Sequence, residues 1–263
     1  MENEKLYSKC MSYLKKLCEE IPERSVGSEG NRLATRFFED EIASFGWDTE
    51  MPEFDAIDWK EDSATLQSEG TRFDVFVSPY SLGCTVEAQL ITASTIEELE
   101  QCDIPGKVVL LHGEIAKEQI MPKNFVFYNP EEHQKVISLL EKKRPDAIIT
   151  ATGRNAALAG GIYPFPMFED GDFDIPSVYM TEQEGMRLAG YQGKPVVLKS
   201  ISKRIPAKGH NVIARKGNKL SERIVITAHI DAKKGSPGAI DNATGVIVLL
   251  LLANLLKDYK ENG

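Results

Sequence analysis

The segment Ile224-Val-Ile-Thr-Ala-His229-Ile-Asp231 is followed closely by Pro237-Gly-Ala-Ile-Asp241-Asn-Ala-Thr-Gly245. Together they set an imidazole and two carboxylates within a short stretch of chain. Imidazole binds zinc when it is neutral and held in one tautomer. Asp231 could accept a hydrogen bond from the ring nitrogen that faces away from a metal, and so fix that tautomer. Asp241 follows a Pro-Gly turn at the entrance of an apolar helix. A carboxylate there could return to the metal, and one carboxylate can bridge two ions. Each residue also has a plainer role. With four histidines in the chain, a single His-x-Asp pair arises easily by coincidence. An aspartate before a helix is commonly an N-cap, and glycines 235, 238 and 245 suit turns and close packing. Chance supplies these parts singly, but supplies their order and spacing poorly.

The elements around this segment set the stage for it. ERIVITAHI, residues 222–230, is a continuous apolar run, as expected of a strand buried on both faces. His229 then projects from the carboxyl end of a sheet, where open α/β sheets bind their ligands. GHNVIARKG before it also reads as a strand, with KGNKLSE as the turn between them, and residues 242–259 read as an apolar helix. At the other end of the chain, Leu6, Cys10, Leu14 and Cys18 recur at i, i+4 spacing, predicting a helix over 6–21 that Pro22 stops. Ser28 is placed to cap a second helix with Leu33, Phe37, Ile42 and Phe45 on its apolar face and Gly46 at its end. A strand-like stretch, 47–54, follows.

From 64 to 206 short β-type runs dominate: ATLQS, RFDVFVS, VEAQLITA, KVVLLHG, NFVFY, AIITA, PSVYM and PVVLKS. Helices are expected over 131–143 and 181–188. The expected fold class is α/β: a discontinuous domain, 1–63 with 207–263, that carries a mixed sheet, and a mainly β domain, 64–206, inserted into it.

Composition narrows the function. The 263 residues carry a formal net charge of -9, which disfavours nucleic acid, since phosphate needs a concentrated positive surface. It gives no attraction to an anionic membrane, and the longest apolar stretch, 246–256, is short of the roughly 20 residues that a spanning helix needs. The first 20 residues lack a basic region followed by an apolar core, so a cytoplasmic location is expected. The four cysteines, 10, 18, 84 and 102, form no CxxC pair. On one helix Cys10 and Cys18 would stand about 12 Å apart, beyond disulfide reach, and reduced thiols are expected.

The 229–245 segment resembles the di-zinc aminopeptidase family, which includes glutamate carboxypeptidase and the catalytically dead transferrin receptor. Its members show His-x-Asp, then Gly-Ala-x-Asp-Asn-(Ala/Gly)-(Ser/Thr)-Gly. Val26-Gly-Ser-Glu-Gly-Asn31 and His210-Asn-Val-Ile-Ala214 also resemble it. Ile175-Pro-Ser-Val178 and Val196-Val-Leu-Lys199 are similar to its protease-associated insert.

The resemblance implies that His229 is a ligand of one zinc, that Asp241 bridges two, and that Asp231 is the catalytic-site residue orienting His229. It implies removal of N-terminal residues from peptide substrates through a two-zinc-activated water. It also places a Glu-Glu pair (general base and ligand), a further acidic ligand and a last His downstream of Gly263. The expectation is therefore a truncated front portion of an enzyme, inactive alone and holding zinc weakly or not at all, with self-association through its apolar last helix.

Other acidic groups read as structural. Glu131-Glu132-His133 opens a helix, where the macrodipole favours acids. Glu19-Glu20 ends one, and Glu169, Asp170, Asp172 and Asp174 form a solvated loop without the regular Ca²⁺ spacing. Two other readings stand beside the aminopeptidase: another cocatalytic zinc peptidase, against which the Asp-Asn-Ala-Thr-Gly helix start speaks, and a non-enzymatic peptide- or protein-binding member of the same superfamily.

Overall fold

The computed structural model describes residues 2–21, 23–154, 162–217 and 223–259. It is a mixed α/β protein. The chain divides into two compact units, Met1–Asp58 with Pro206–Gly263, and Trp59–Ile205. Pro22, residues 218–221 of the expected turn, and Glu222 at the head of the expected strand lie outside the described residues.

In the first unit, helix α1 (Glu2–Lys15) runs on into a π-helical turn, Lys16–Glu20. Helix α2 (Glu29–Ser44) starts as its sequence predicts, with the Ser28 hydroxyl accepting a hydrogen bond from the Asn31 N–H. Its buried face is Ala34, Phe38 and Ile42. Leu33, expected on that face, is instead exposed, because it falls on the flank of the stripe. Strand β1 (Asp48–Glu50) pairs antiparallel with β10 (Ile213–Arg215), matching Asp48 to Arg215 and Glu50 to Ile213. The last helix, α6 (Thr244–Leu255), buries Val246, Ile247, Leu250 and Ala253 against Tyr13, Leu17, Phe38 and Ile42. The Trp47 indole N–H donates to the Ala253 carbonyl at 3.0 Å, a partner that a mostly buried indole needs.

The second unit is built on a mixed sheet. Its strands are β2 (Glu53–Ser68), β3 (Thr71–Phe73), β4 (Phe76–Val77), β5 (Cys84–Ala93), β6 (Val108–Leu111), β7 (Ala147–Thr152), β8 (Ser177–Thr181) and β9 (Pro195–His210), of which residues 53–58 and 206–210 belong to the first unit. Their spatial order is β3-β2-β9-β5-β6-β7-β8-β4. Strands β5, β6, β7 and β8 are mutually parallel, while β9, β3 and β4 pair antiparallel with β5, β2 and β8. The four residues of β6 are fully buried and alternate between two cores. Val109 and Leu111 pack with Ile148, Val136 and Leu140. Val108 and Leu110 pack with Ile149, Val178 and Leu198. Burial on both faces is what helices α3 (Ile96–Gln101), α4 (Glu131–Lys143) and α5 (Glu182–Ala189) make possible beside a parallel sheet. Thr95 and Thr181 cap α3 and α5 by accepting the N–H of Glu98 and Glu184.

Several expectations need correction. NFVFY is not a strand: Phe125, Val126, Phe127 and Tyr128 are all exposed in a loop, since among the described residues no strand beside them offers a ladder. PVVLKS and ATLQS are parts of two 16-residue strands, and GHNVIARKG is split between β9 and β10 at 211–212. The largest correction concerns residues 223–230. The expected buried strand is irregular there, with Ile224 93%, Val225 78% and Ile226 54% exposed. Apolar β-formers make a strand only when neighbouring strands take up their N–H and C=O groups. Among the described residues none does.

Candidate metal centre

The three residues that the sequence points to come together in the first unit. The His229 Nε2 lies 2.9 Å from Asp241 Oδ1, and its Nδ1 lies 3.2 Å from Asp231 Oδ1. One imidazole is thus held between two carboxylates, one on each ring nitrogen. Half of the His229 side chain and most of the Asp241 side chain face solvent, so the pair is open to an incoming group.

Asp241 is not a helix cap. That duty falls on Asn242, whose side-chain oxygen accepts the Gly245 N–H at 3.1 Å. The approach is so close that a Cβ on Gly245 would stand 2.3 Å from that oxygen, which is why a glycine follows Thr244. Asp241 itself lies at non-helical φ/ψ of -118° and 86°, in the kinked turn Ala239–Ala243 before α6. Its carboxylate is directed at His229 instead.

Arg24, which no motif in the chain marks, organises this region. It is fully buried. Its Nε donates to the Ile230 carbonyl at 2.9 Å. One terminal nitrogen donates to the carbonyls of Leu17, Ile21 and Pro237, and the other to that of Gly238. The first two belong to the end of the α1 π-turn, where carbonyls lack helical partners and a cation is favoured. The other three belong to the loop that joins His229 to Asp241. Burial pushes the Arg24 guanidinium below its ordinary pKa, and the neighbouring Cys18 and Asp231 push it back up. The Asn31 amide donates to the Arg24 carbonyl, and the Ala232 N–H approaches it at 3.4 Å. The 26–31 stretch therefore serves the loop by supplying both the α2 cap and Asn31. Its sequence neighbours, Glu23 and Ser25, are polar, and nothing local marks the arginine as buried.

The other acidic groups are accounted for within the fold. His133 is buried, with Nδ1 accepting the Met121 N–H and Nε2 3.6 Å from Glu118. Glu20 pairs with Lys16. The 169–174 loop is more built than expected. Asp170 is buried and accepts the N–H of Lys123 and Asp172, Asp172 accepts from Asn124, and Asp174 pairs with Arg204. Among the described residues no group of three or more His, Cys, Asp or Glu side chains gathers as a metal cluster. His229 and Asp241 are zinc-type donors, and a catalytic zinc ordinarily takes three protein ligands. The four cysteines are free thiols, and among the described residues no helix is long and apolar enough to cross a membrane.

Comparison with known proteins agrees with this region. Residues 211–262 match the model of Peptidase family M28. A probable lipoprotein aminopeptidase, LpqL, of Mycobacterium tuberculosis (strain ATCC 25618 / H37Rv) is 24% identical over 238 residues, which cover 86% of this chain and 44% of the relative. Among solved structures, the aminopeptidase from Aneurinibacillus sp. strain AM-1 matches with a TM-score of 0.71 and 21% identity, over 96% of this chain and 59% of that one. BSAP, a zinc aminopeptidase from Bacillus subtilis, matches at 0.67 and 20%, over 95% and 57%. The chain thus spans less than two thirds of each of these relatives. Over residues 211–262 the chain therefore resembles Peptidase family M28, on a fold that it shares with zinc aminopeptidases.

Proposed function

We propose that this chain is the front portion of a metal-dependent aminopeptidase that removes N-terminal residues from peptides with two zinc ions, the 59–205 unit being its protease-associated insert. The observation that carries the reading is the orientation of Asp241. It leaves the capping of α6 to Asn242 and meets His229 Nε2 at 2.9 Å. The relatives named as aminopeptidases, one of them a zinc enzyme, support the same reading.

In this reading His229 Nε2 and Asp241 Oδ1, 2.9 Å apart, would hold the metal. Asp231 accepts from His229 Nδ1–H, which keeps the Nε2 lone pair free and the ring oriented. Zinc held there would supply Lewis-acid activation of water and of the scissile carbonyl. Two protein donors hold zinc weakly, so the 263-residue chain by itself is inactive and binds it weakly or not at all. Free thiols at all four cysteines support a reducing, cytoplasmic setting, which cell fractionation checks. Val248 and Leu255, exposed on α6, are the contacts through which the isolated chain self-associates; a clean monomer in light scattering would count against that.

The test is a peptidase assay on the whole gene product with zinc. His229→Ala and Asp241→Asn should abolish turnover, and Asp231→Asn should cost about 10–100-fold in activity or metal affinity. Unchanged turnover in Asp241→Asn sinks the reading. Robust turnover by the 263-residue chain alone refutes its stated inactivity. The exposed run Phe125, Val126, Phe127 and Tyr128 favours a second reading, a non-enzymatic peptide- or protein-binding role, because clustered exposed apolar residues mark contact surfaces. Zinc-dependent turnover excludes it.

A further inference from the structure

We propose that Arg24 is the positioning residue of the His229 centre. Its buried guanidinium ties the two ends of the 230–238 loop together and so keeps Asp231 and Asp241 on opposite nitrogens of one imidazole. The hydrogen bonds carry this directly. Ile230, directly after His229, is held at one end of the loop, and Pro237 and Gly238, just before the Asp241 turn, at the other. The Ala232 N–H against the Arg24 carbonyl braces the first end from the opposite side. A planar fork of donors suits several carbonyls at fixed angles, whereas the point charge of lysine does not. Loop and arginine are also matched in shape. At Gly238, with φ +55°, a Cβ would stand 2.8 Å from an Arg24 terminal nitrogen and 2.5 Å from the Ala232 Cβ. Only a glycine there lets the loop close on the guanidinium. Because the remaining Arg24 bonds go to Leu17 and Ile21, the loop is anchored to a helix end within the apolar core of the first unit. Without that anchor, eleven residues of mostly irregular chain separate His229 from Asp241.

The geometry stands by itself; only its consequence for metal rests on the proposed function. The experiment uses the full 263-residue chain, ¹⁵N-labelled, and reads the two ring nitrogens of His229 in long-range ¹H–¹⁵N spectra, with the resonances assigned by loss in His229→Gln. In the parent chain the two nitrogens should give distinct, hydrogen-bonded shifts. Arg24→Met should collapse them towards those of a free imidazole, and Arg24→Lys should restore them only in part. Leu17→Ala, a cavity in the same core, should lower stability and leave the ring shifts in place. A folded Arg24→Met chain with unchanged His229 shifts overturns the proposal, as does a Leu17→Ala chain that moves them equally. Should Arg24→Met fail to fold, Arg24→Lys and Gly238→Ala decide, and unmoved ring shifts in both overturn it. Zinc is then added to the parent chain and to the whole gene product. A ring that depends on Arg24 but does not respond to zinc in the whole product removes the proposed function and leaves the positioning role. The converse result removes the positioning role alone.

Discussion

Two apolar runs of the same character meet opposite fates in this molecule. Val108–Leu111 in β6 is fully buried, paired in parallel with β5 and β7 and covered on both faces. Residues 224–226 are Ile, Val and Ile, yet more than half of each is exposed and no strand is formed. Composition does not separate the two runs. What separates them is a pair of flanking strands, because an apolar β segment gains its burial and its backbone hydrogen bonds from neighbours rather than from itself. The lesson is that a buried-strand pattern describes an environment the segment fits, and the environment must be present for the pattern to be realised.

The largest effect should come from placing a charge in each run. Leu110→Asp leaves an uncompensated carboxylate in the core and should cost about 3–5 kcal/mol or more, enough to unfold the second unit. Val225→Asp should stay within about 0.5 kcal/mol. Denaturant unfolding measures both, and equal costs would break the comparison. Amide hydrogen exchange sharpens it residue by residue. The amides of 109–111 should exchange roughly 10³-fold or more slowly than those of 225–228; comparable rates would show that 224–228 is paired in solution.

Smaller effects test one helix cap in each unit. Thr181→Ala at α5 and Asn242→Ala before α6 each remove a side-chain cap and should each cost about 1 kcal/mol. A neutral Asn242→Ala would return the capping role to Asp241 and weaken the reading of that carboxylate. The smallest is a pH effect confined to the first unit. Burial and the hydrogen bond to Glu41 push the Tyr13 hydroxyl well above its usual range. A pKa raised on folding gives stability that is present below the unfolded value, about 10, and is lost as pH rises beyond it. Tyr13→Phe should therefore flatten the alkaline fall in stability of the first unit, and leave the second unit's alkaline melting unchanged.

A second contrast shows what patterns in sequence carry and what they miss. Arg24 and Arg204 play parallel parts, each gathering backbone carbonyls from a loop. Arg24 does so around 230–238, and Arg204 around 170–174 through the Asp170 and Phe173 carbonyls, while its Nε donates to the Tyr80 carbonyl. Neither was legible, because a side chain that binds main-chain carbonyls leaves no complementary residue type at a fixed spacing. Ser28 and the Pro-Gly turn before Asp241 were legible, since caps and turns act over three or four residues. Helix α3 and the non-strand character of 125–128 were missed for the opposite reasons. Six residues are too few for a helical period to show, and aromatic β-formers look alike in a strand and in an exposed loop.

The sequence by itself determined the mixed α/β class, the α2 cap, and the spacing of His229, Asp231 and Asp241, because periodicity, capping and short loops are local chemistry. Tertiary structure decided that Asn242 rather than Asp241 caps α6, that Arg24 locks the loop between the ligand candidates, and that 224–226 stays exposed. Each of these depends on a partner distant along the chain, or on its absence, and burial and hydrogen bonding are properties of that partner as much as of the residue.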